Sequence, residues 1–131
     1  MDSAQAELTV VDVPEDCGNA PRKIVIRDFL IALYQRDVGA VLAALHDSVQ
    51  WEIVGSCQLE GPSEVDAWLT QQPAATELHV ALVITHGTDC GADGTVVYAK
   101  GSQVRFHHVL IFAGHSKTAK IKQLRSYLIN G

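Results

Sequence analysis

The chain has 131 residues and a formal net charge of −5, with 15 Asp and Glu against 10 Lys and Arg. That length fits one domain with a real core, and an acidic chain with scattered basic residues excludes the basic stripe of a nucleic-acid surface. No apolar run approaches the ~18 residues of a membrane span, and the N-terminus lacks a basic region followed by an apolar stretch. The expectation is a cytoplasmic protein with neither nucleic acid nor membrane as a partner.

Cys17, Cys57 and Cys90 form no CxxC pair, and their odd number suits reduced thiols. Residues 1–19 carry Pro14 and Gly18 but no sustained hydrophobic period, and read as a flexible arm ahead of a domain spanning 20–131. Asn19 can cap a helix whose first turn holds Pro21. In "RKIVIRDFLIALYQR" the sets Val25, Phe29, Ala32 and Ile26, Leu30, Leu33 fall at helical spacings. Asp37 can cap a second, short helix, "VGAVLAALH".

"DSVQWEIVG" alternates as a strand, with Val49, Trp51 and Ile53 on one side and Gln50 and Glu52 on the other. "CQLEG" can pair with it. "PSEVDAWLTQQ" reads as a third helix, with Ser63 and Asp66 spaced as a cap and Val65, Trp68 and Leu69 as its apolar stripe. The remainder reads as four long strands: "TELHVALVITHG", "ADGTVVYAK", "SQVRFHHVLIFAG" and "AKIKQLRSYLI". Several are apolar on both faces, so both faces need cover. Helices would cover one, and a second copy of the chain the other.

That element order, with the words "FLIALYQRD", "DSVQWEIVG", "LEGPSEVDAWL", "VRFHHVLIF" and "KIKQLRSYL", resembles the nuclear transport factor 2-like superfamily. Closest in style is its SnoaL-like, polyketide cyclase-like branch, in an uncharacterised bacterial form. The resemblance covers residues 20–131. It implies an α+β, cone-shaped fold: three N-terminal helices packed on a curved, mainly antiparallel sheet that encloses a cavity.

Two enzyme groups on that fold imply site residues. "DSVQWEIVGS" resembles the ketosteroid isomerase word holding the catalytic base, which puts Glu52 in that role. "HHVLIF" resembles the word holding the buried acid, which puts His108 there. The isomerase tyrosine of the first helix falls on Phe29, which has no hydroxyl. Limonene-type epoxide hydrolases imply Asp93 as one aspartate of a water-activating trio. Their remaining positions fall on Gly91 and Ser126, and Gln50 and Glu52 stand where they carry tyrosine and asparagine.

The resemblance also implies faces. Phe106, His108, Leu110, Phe112, Leu124, Ser126 and Leu128 would face the cavity. Arg105, His107, Val109, Ile111, Arg125, Tyr127 and Ile129 would lie outside, as an apolar patch with a basic rim that pairs two copies. The expected site is then Glu52, His108 and Asp93 as acid/base groups, with Gln50, Phe29, Trp68, Phe106, Leu110, Leu124 and Ser126 as ligand contacts. A carboxylate beside an imidazole in an apolar pocket suits proton transfer next to a carbonyl.

His79, His86 and His115 lack metal-ligand spacing, so neither metal nor cofactor is expected. The implied function is binding of a small, mainly apolar molecule, with acid/base catalysis by Glu52 and His108. The competing reading is a non-catalytic dimerisation or binding module with a vestigial cavity.

Overall fold

Helix α1 (Pro21–Gln35) opens on a proline, whose missing N–H costs nothing in the first turn, and buries Ile26, Phe29, Leu30, Ala32, Leu33 and Tyr34. This computed structural model describes residues 8–11 and 21–130. The end of α1 is unusual. Arg36 N–H bonds the Leu33 carbonyl at 3.1 Å and Asp37 N–H the Ala32 carbonyl at 2.9 Å. That pairing is a Schellman motif, and its left-handed position is normally glycine. Here it is Arg36, with φ 58°.

Asp37 then caps α2 (Val38–Ala44), accepting from Ala40 N–H at 3.2 Å. The chain leaves α2 at Leu45, which is already extended and in register with Ile121. Strand β2 (Leu45–Ile53) therefore begins two residues before the alternating word suggests. It turns through Gly55 into β3 (Cys57–Glu60), its antiparallel partner.

Helix α3 (Gly61–Leu69) also starts earlier than its sequence signal. Ser63 and Asp66 do not form the expected cap. Glu64 Oε1 reaches back instead and accepts from Glu60 N–H at 2.8 Å, so one of the unpaired donors at the helix start is met from within the first turn.

The long strands β4 (Ala75–His86), β5 (Asp89–Tyr98), β6 (Gln103–Phe112) and β7 (Ile121–Asn130) pair antiparallel in sequence order. Strand β2 joins β7 in parallel. Thr9–Val11, within the segment expected to be a loose arm, forms β1 and pairs in parallel with Glu77–His79. Residues 1–7 and 12–19 lie outside the described residues, Asn19 and Cys17 among them. Among the described residues the result is an open seven-stranded sheet in the order β1-β4-β5-β6-β7-β2-β3, with bulges in β4 and at the starts of β2 and β7. The protein is α+β.

Side-chain alternation decides what each strand gives the core. Rows of register partners run across the sheet, and every member of a row points to the same face. Cys90, Leu110, Leu124, Trp51 and Leu59 form one buried row. Ala92, His108 and Ser126 form the next. Helix α1 packs on β4, and α3 on β2. Gly94 sits where β4 bulges, with the His79 carbonyl and the Phe106 ring so close that no Cβ would fit. No helix among the described residues is long and apolar enough to cross a membrane.

Candidate functional site

Three elements leave a hollow at the C-terminal end of α1. Leu33, Tyr34 and Arg36 come from α1 and its cap. Trp68, Leu69, Gln72 and Pro73 come from α3 and the turn after it. Trp51, Tyr98, His108, Ser126 and Leu128 come from the sheet. The hollow measures about 400 Å³ with its open mouth included. Its interior is slim, with room for about two or three waters, so a larger guest must displace the half-exposed rim of Trp68, Gln72 and Leu128.

A continuous chain of hydrogen bonds crosses its floor. Trp51 Nε1 donates to Ser126 Oγ at 2.8 Å. Ser126 Oγ lies 2.7 Å from His108 Nδ1. His108 Nε2 lies 2.8 Å from Tyr34 Oη. His108 is 1% exposed, Ser126 1% and Trp51 0%. Cross-strand register sets the middle link, since His108 and Ser126 are direct partners of β6 and β7. The Phe106 ring stacks against His108 with centroids 5.0 Å apart.

Burial fixes the protonation of this chain. Loss of hydration, helped by neighbouring His107, lowers the His108 pKa from 6.5 to about 3. Burial, with Tyr98 nearby, raises the Tyr34 phenol well above 10. Burial raises Tyr98 as well. Near neutral pH, then, the imidazole is neutral with one N–H, and both phenols keep their protons.

The hydrogen count follows. Trp51, Ser126, His108 and Tyr34 supply one hydrogen each, and the three contacts use three of the four. If Ser126 donates to Nδ1, His108 donates to Tyr34 and the phenol hydrogen is left over. If Nδ1–H donates to Ser126, Tyr34 donates to Nε2 and the serine hydrogen is left over. Either way one donor hydrogen has no acceptor among the described residues, and both Tyr34 and Ser126 are lining residues of the hollow. The site therefore calls for an acceptor from its guest, and no Asp or Glu among the described residues lines it.

Of the residues expected from sequence, His108, Ser126 and Trp68 line this hollow. Phe29, Phe106, Leu110 and Leu124 are buried in the packed core without lining it, Phe29 tilted against Trp51 at 6.2 Å. Gln50 and Glu52 are exposed on the other face of β2, because Val49, Trp51 and Ile53 hold the buried face. Glu52 is in register with Arg125 there. Asp93 is likewise outward, beside its cross-strand partner His107, because Ala92 and Gly94 take the inward positions. The trio of Glu52, Asp93 and His108 is not assembled, since the first two sit on the opposite side of the sheet from the third. The implied Glu52–His108 pair is corrected accordingly.

Sequence reasoning missed Tyr34, Arg36, Gln72 and Tyr98. Tyr34 had a signal: it lies four residues after Leu30, on the same buried stripe. A hydroxyl within an apolar stripe asks for a buried partner. Arg36 had none, because its place depends on the left-handed turn that follows α1.

No family model and no curated protein matches this chain. Solved structures do. An NTF-2 like protein of unknown function from Burkholderia xenovorans LB400 aligns over 86% of this chain and 88% of its own, at 17% identity and a TM-score of 0.68. The fold is nuclear transport factor 2-like. A second protein with this NTF2-like fold, from Burkholderia pseudomallei K96243 and also of unknown function, aligns over 82% and 90% at 22% identity and a TM-score of 0.67. The epoxide hydrolase/cyclase-like enzyme SalBIII, with a role in pyran ring formation in the polyether salinomycin, aligns over 82% and 89% at 14% identity and a TM-score of 0.68. At such identities the NTF2-like likeness is one of backbone.

Proposed function

We propose that this chain binds a small, mainly apolar molecule carrying a hydrogen-bond-accepting oxygen, in a cone-shaped cavity between its helices and the inner face of the sheet. The observation that carries the reading is the unspent hydrogen of the Trp51–Ser126–His108–Tyr34 chain. Leu33, Leu69, Trp51 and Trp68 supply apolar walls for the body of the guest. An acceptor oxygen at Tyr34 or Ser126 would complete the chain, and a donor in a water-poor site polarises a carbonyl or ether more strongly than water does. Among the described residues no carboxylate base lines the cavity, and the polar groups that do line its floor support binding and polarisation by neutral donors. SalBIII, an epoxide hydrolase/cyclase-like enzyme with a role in pyran ring formation, supports small-molecule chemistry on a backbone of this kind.

The test uses the two tryptophans of the chain, both of which line the cavity. Titration with 4-methylcyclohexanone should change their fluorescence and saturate. Tyr34→Phe and Ser126→Ala should each weaken that binding by about tenfold, the value of one hydrogen bond in a dry site. Saturation with equal affinity in both variants would remove the donor chain from the reading.

A second observation favours self-association. Leu82, Ile84, Tyr127 and Ile129 are exposed on the outer sheet face, among Asp93, Arg105, Arg125 and Glu52. A face that mixes apolar side chains with charges of both signs can meet a second copy of itself across a two-fold axis. We propose a homodimer through that face. The exposed Cys57 and buried Cys90 are unbridged, which supports a reducing compartment such as the cytoplasm.

A further inference from the structure

The mouth of the cavity carries a charge that the binding reading does not use. Arg36 stands there, and among the described residues its side chain makes one hydrogen bond, Nη1 donating to the Gln72 carbonyl at 3.0 Å. A guanidinium has five N–H donors, so most of its capacity is unspent. Among the described residues no carboxylate pairs with it, and no Asp or Glu lines the cavity. The Tyr98 hydroxyl, also lining the cavity, has no partner among the described residues. The polar part of this wall is thus rich in donors and holds one net positive charge.

The backbone adds a second, independent observation. Arg36 occupies the left-handed position of the Schellman motif, with φ 58°. Glycine fits there without strain, whereas a side chain with a Cβ does not. A strained non-glycine residue at a cavity mouth points from geometry to function.

We infer that the guest is an apolar monocarboxylate whose carboxylate is held by the Arg36 guanidinium at the cavity mouth. The inference rests on the binding reading above and names the chemical class of ligand. A carboxylate matches the fork of a guanidinium in two parallel hydrogen bonds. A phosphate dianion fits less well, because one cation cannot balance it and the partial negative charge at the carbonyl end of α1 repels a dianion about twice as strongly as a monoanion. The apolar body then lies against Trp51, Trp68 and Leu69, and an inner oxygen meets the spare hydrogen at the floor.

The experiment compares 4-oxocyclohexanecarboxylate, its primary amide, phenyl phosphate and the neutral 4-methylcyclohexanone by tryptophan fluorescence. The carboxylate should bind the native chain at least ~10-fold more tightly than the amide, and more tightly than phenyl phosphate. Arg36→Gly installs the residue this turn favours, so it should fold with an unchanged or higher Tm. It should abolish the preference for acid over amide, read as the ratio of their Kd values in that variant. Arg36→Lys should restore part of the preference. Equal binding of acid and amide, unchanged acid binding in Arg36→Gly, or tighter binding of phenyl phosphate would each overturn the inference while ketone binding keeps the cavity reading. Failure of every probe, the ketone included, would overturn both.

Discussion

Tyr34 Oη and His108 Nε2 lie 2.8 Å apart, joined across 74 residues of chain. One ends a helix and the other sits mid-strand, so only the packing of α1 on the sheet brings them together. Removing the hydroxyl takes from the 1% exposed His108 the phenol partner of its Nε2. Tyr34→Phe should lower unfolding free energy by about 1–3 kcal/mol, the cost of an unpaired buried polar group. Chemical denaturation measures it, and an unchanged midpoint would mean that the hydroxyl and ring do not depend on each other.

His108 gives the protein a pH dependence of definite sign. In the unfolded chain its pKa is 6.5, and folding lowers it to about 3. Below pH 6.5 the unfolded chain binds a proton that the folded chain refuses. Stability therefore falls as pH drops from 6.5 toward 3, and the penalty is absent above 6.5. From pH 7 to 4.5 this one group should cost about 2 kcal/mol. His108→Gln, which has no titrating ring, should lose less over that interval than the native chain does. Identical pH profiles for the two proteins would sink the assignment.

Ser126 serves two partners at once, accepting from Trp51 Nε1 and bonding His108 Nδ1. Ser126→Ala leaves both without a partner, so its cost should exceed that of Tyr34→Phe, at about 2–4 kcal/mol. The indole emission of Trp51 should move as well, because its N–H loses its acceptor. The double variant Tyr34→Phe/Ser126→Ala should be non-additive, since both act on the same ring. Simple additivity would show two independent contacts.

Two glycines of β5 should answer a methyl group differently. A Cβ at Gly94 would overlap the His79 carbonyl and press on the Phe106 ring, so β4 or β5 must shift. At Gly91 the nearest atom is the His107 ring at 3.6 Å, an ordinary contact. Gly94→Ala should therefore destabilise by about 2–4 kcal/mol or prevent folding, and Gly91→Ala by less than about 1 kcal/mol. The reverse order, read from thermal melts, would contradict the bulge geometry.

The outer face supplies the last prediction. Sedimentation of the purified chain should give about twice its 14.2 kDa mass. Ile129→Lys, at a position 64% exposed in the single chain, should shift the equilibrium toward monomer without unfolding it. A monomer at tens of micromolar for the native protein would remove the dimer proposal.

Local pattern determined much of this protein. The alternation of Val49, Trp51 and Ile53 named the buried face of β2, and the spacing of Ile26, Phe29, Leu30 and Leu33 named the buried face of α1. Adjacent His107 and His108 had to part, because successive strand residues point to opposite faces. His108 is buried and His107 exposed, as that rule requires once Phe106 and Leu110 are inside. Where the resemblance overrode local pattern, it misplaced Glu52. The strand's own alternation already set Glu52 opposite Trp51, and a borrowed register one residue out reverses a face. What no local pattern held is the chain of Trp51, Ser126, His108 and Tyr34, since its links join residues 18 to 75 positions apart. Those links exist because β7 lies between β6 and β2 while α1 carries Tyr34 to His108, and only tertiary packing decides that. Arg36 belongs there too. A single left-handed residue aims it at the cavity, and the energy that holds it comes from the helix end and Gln72 rather than from anything periodic in the sequence.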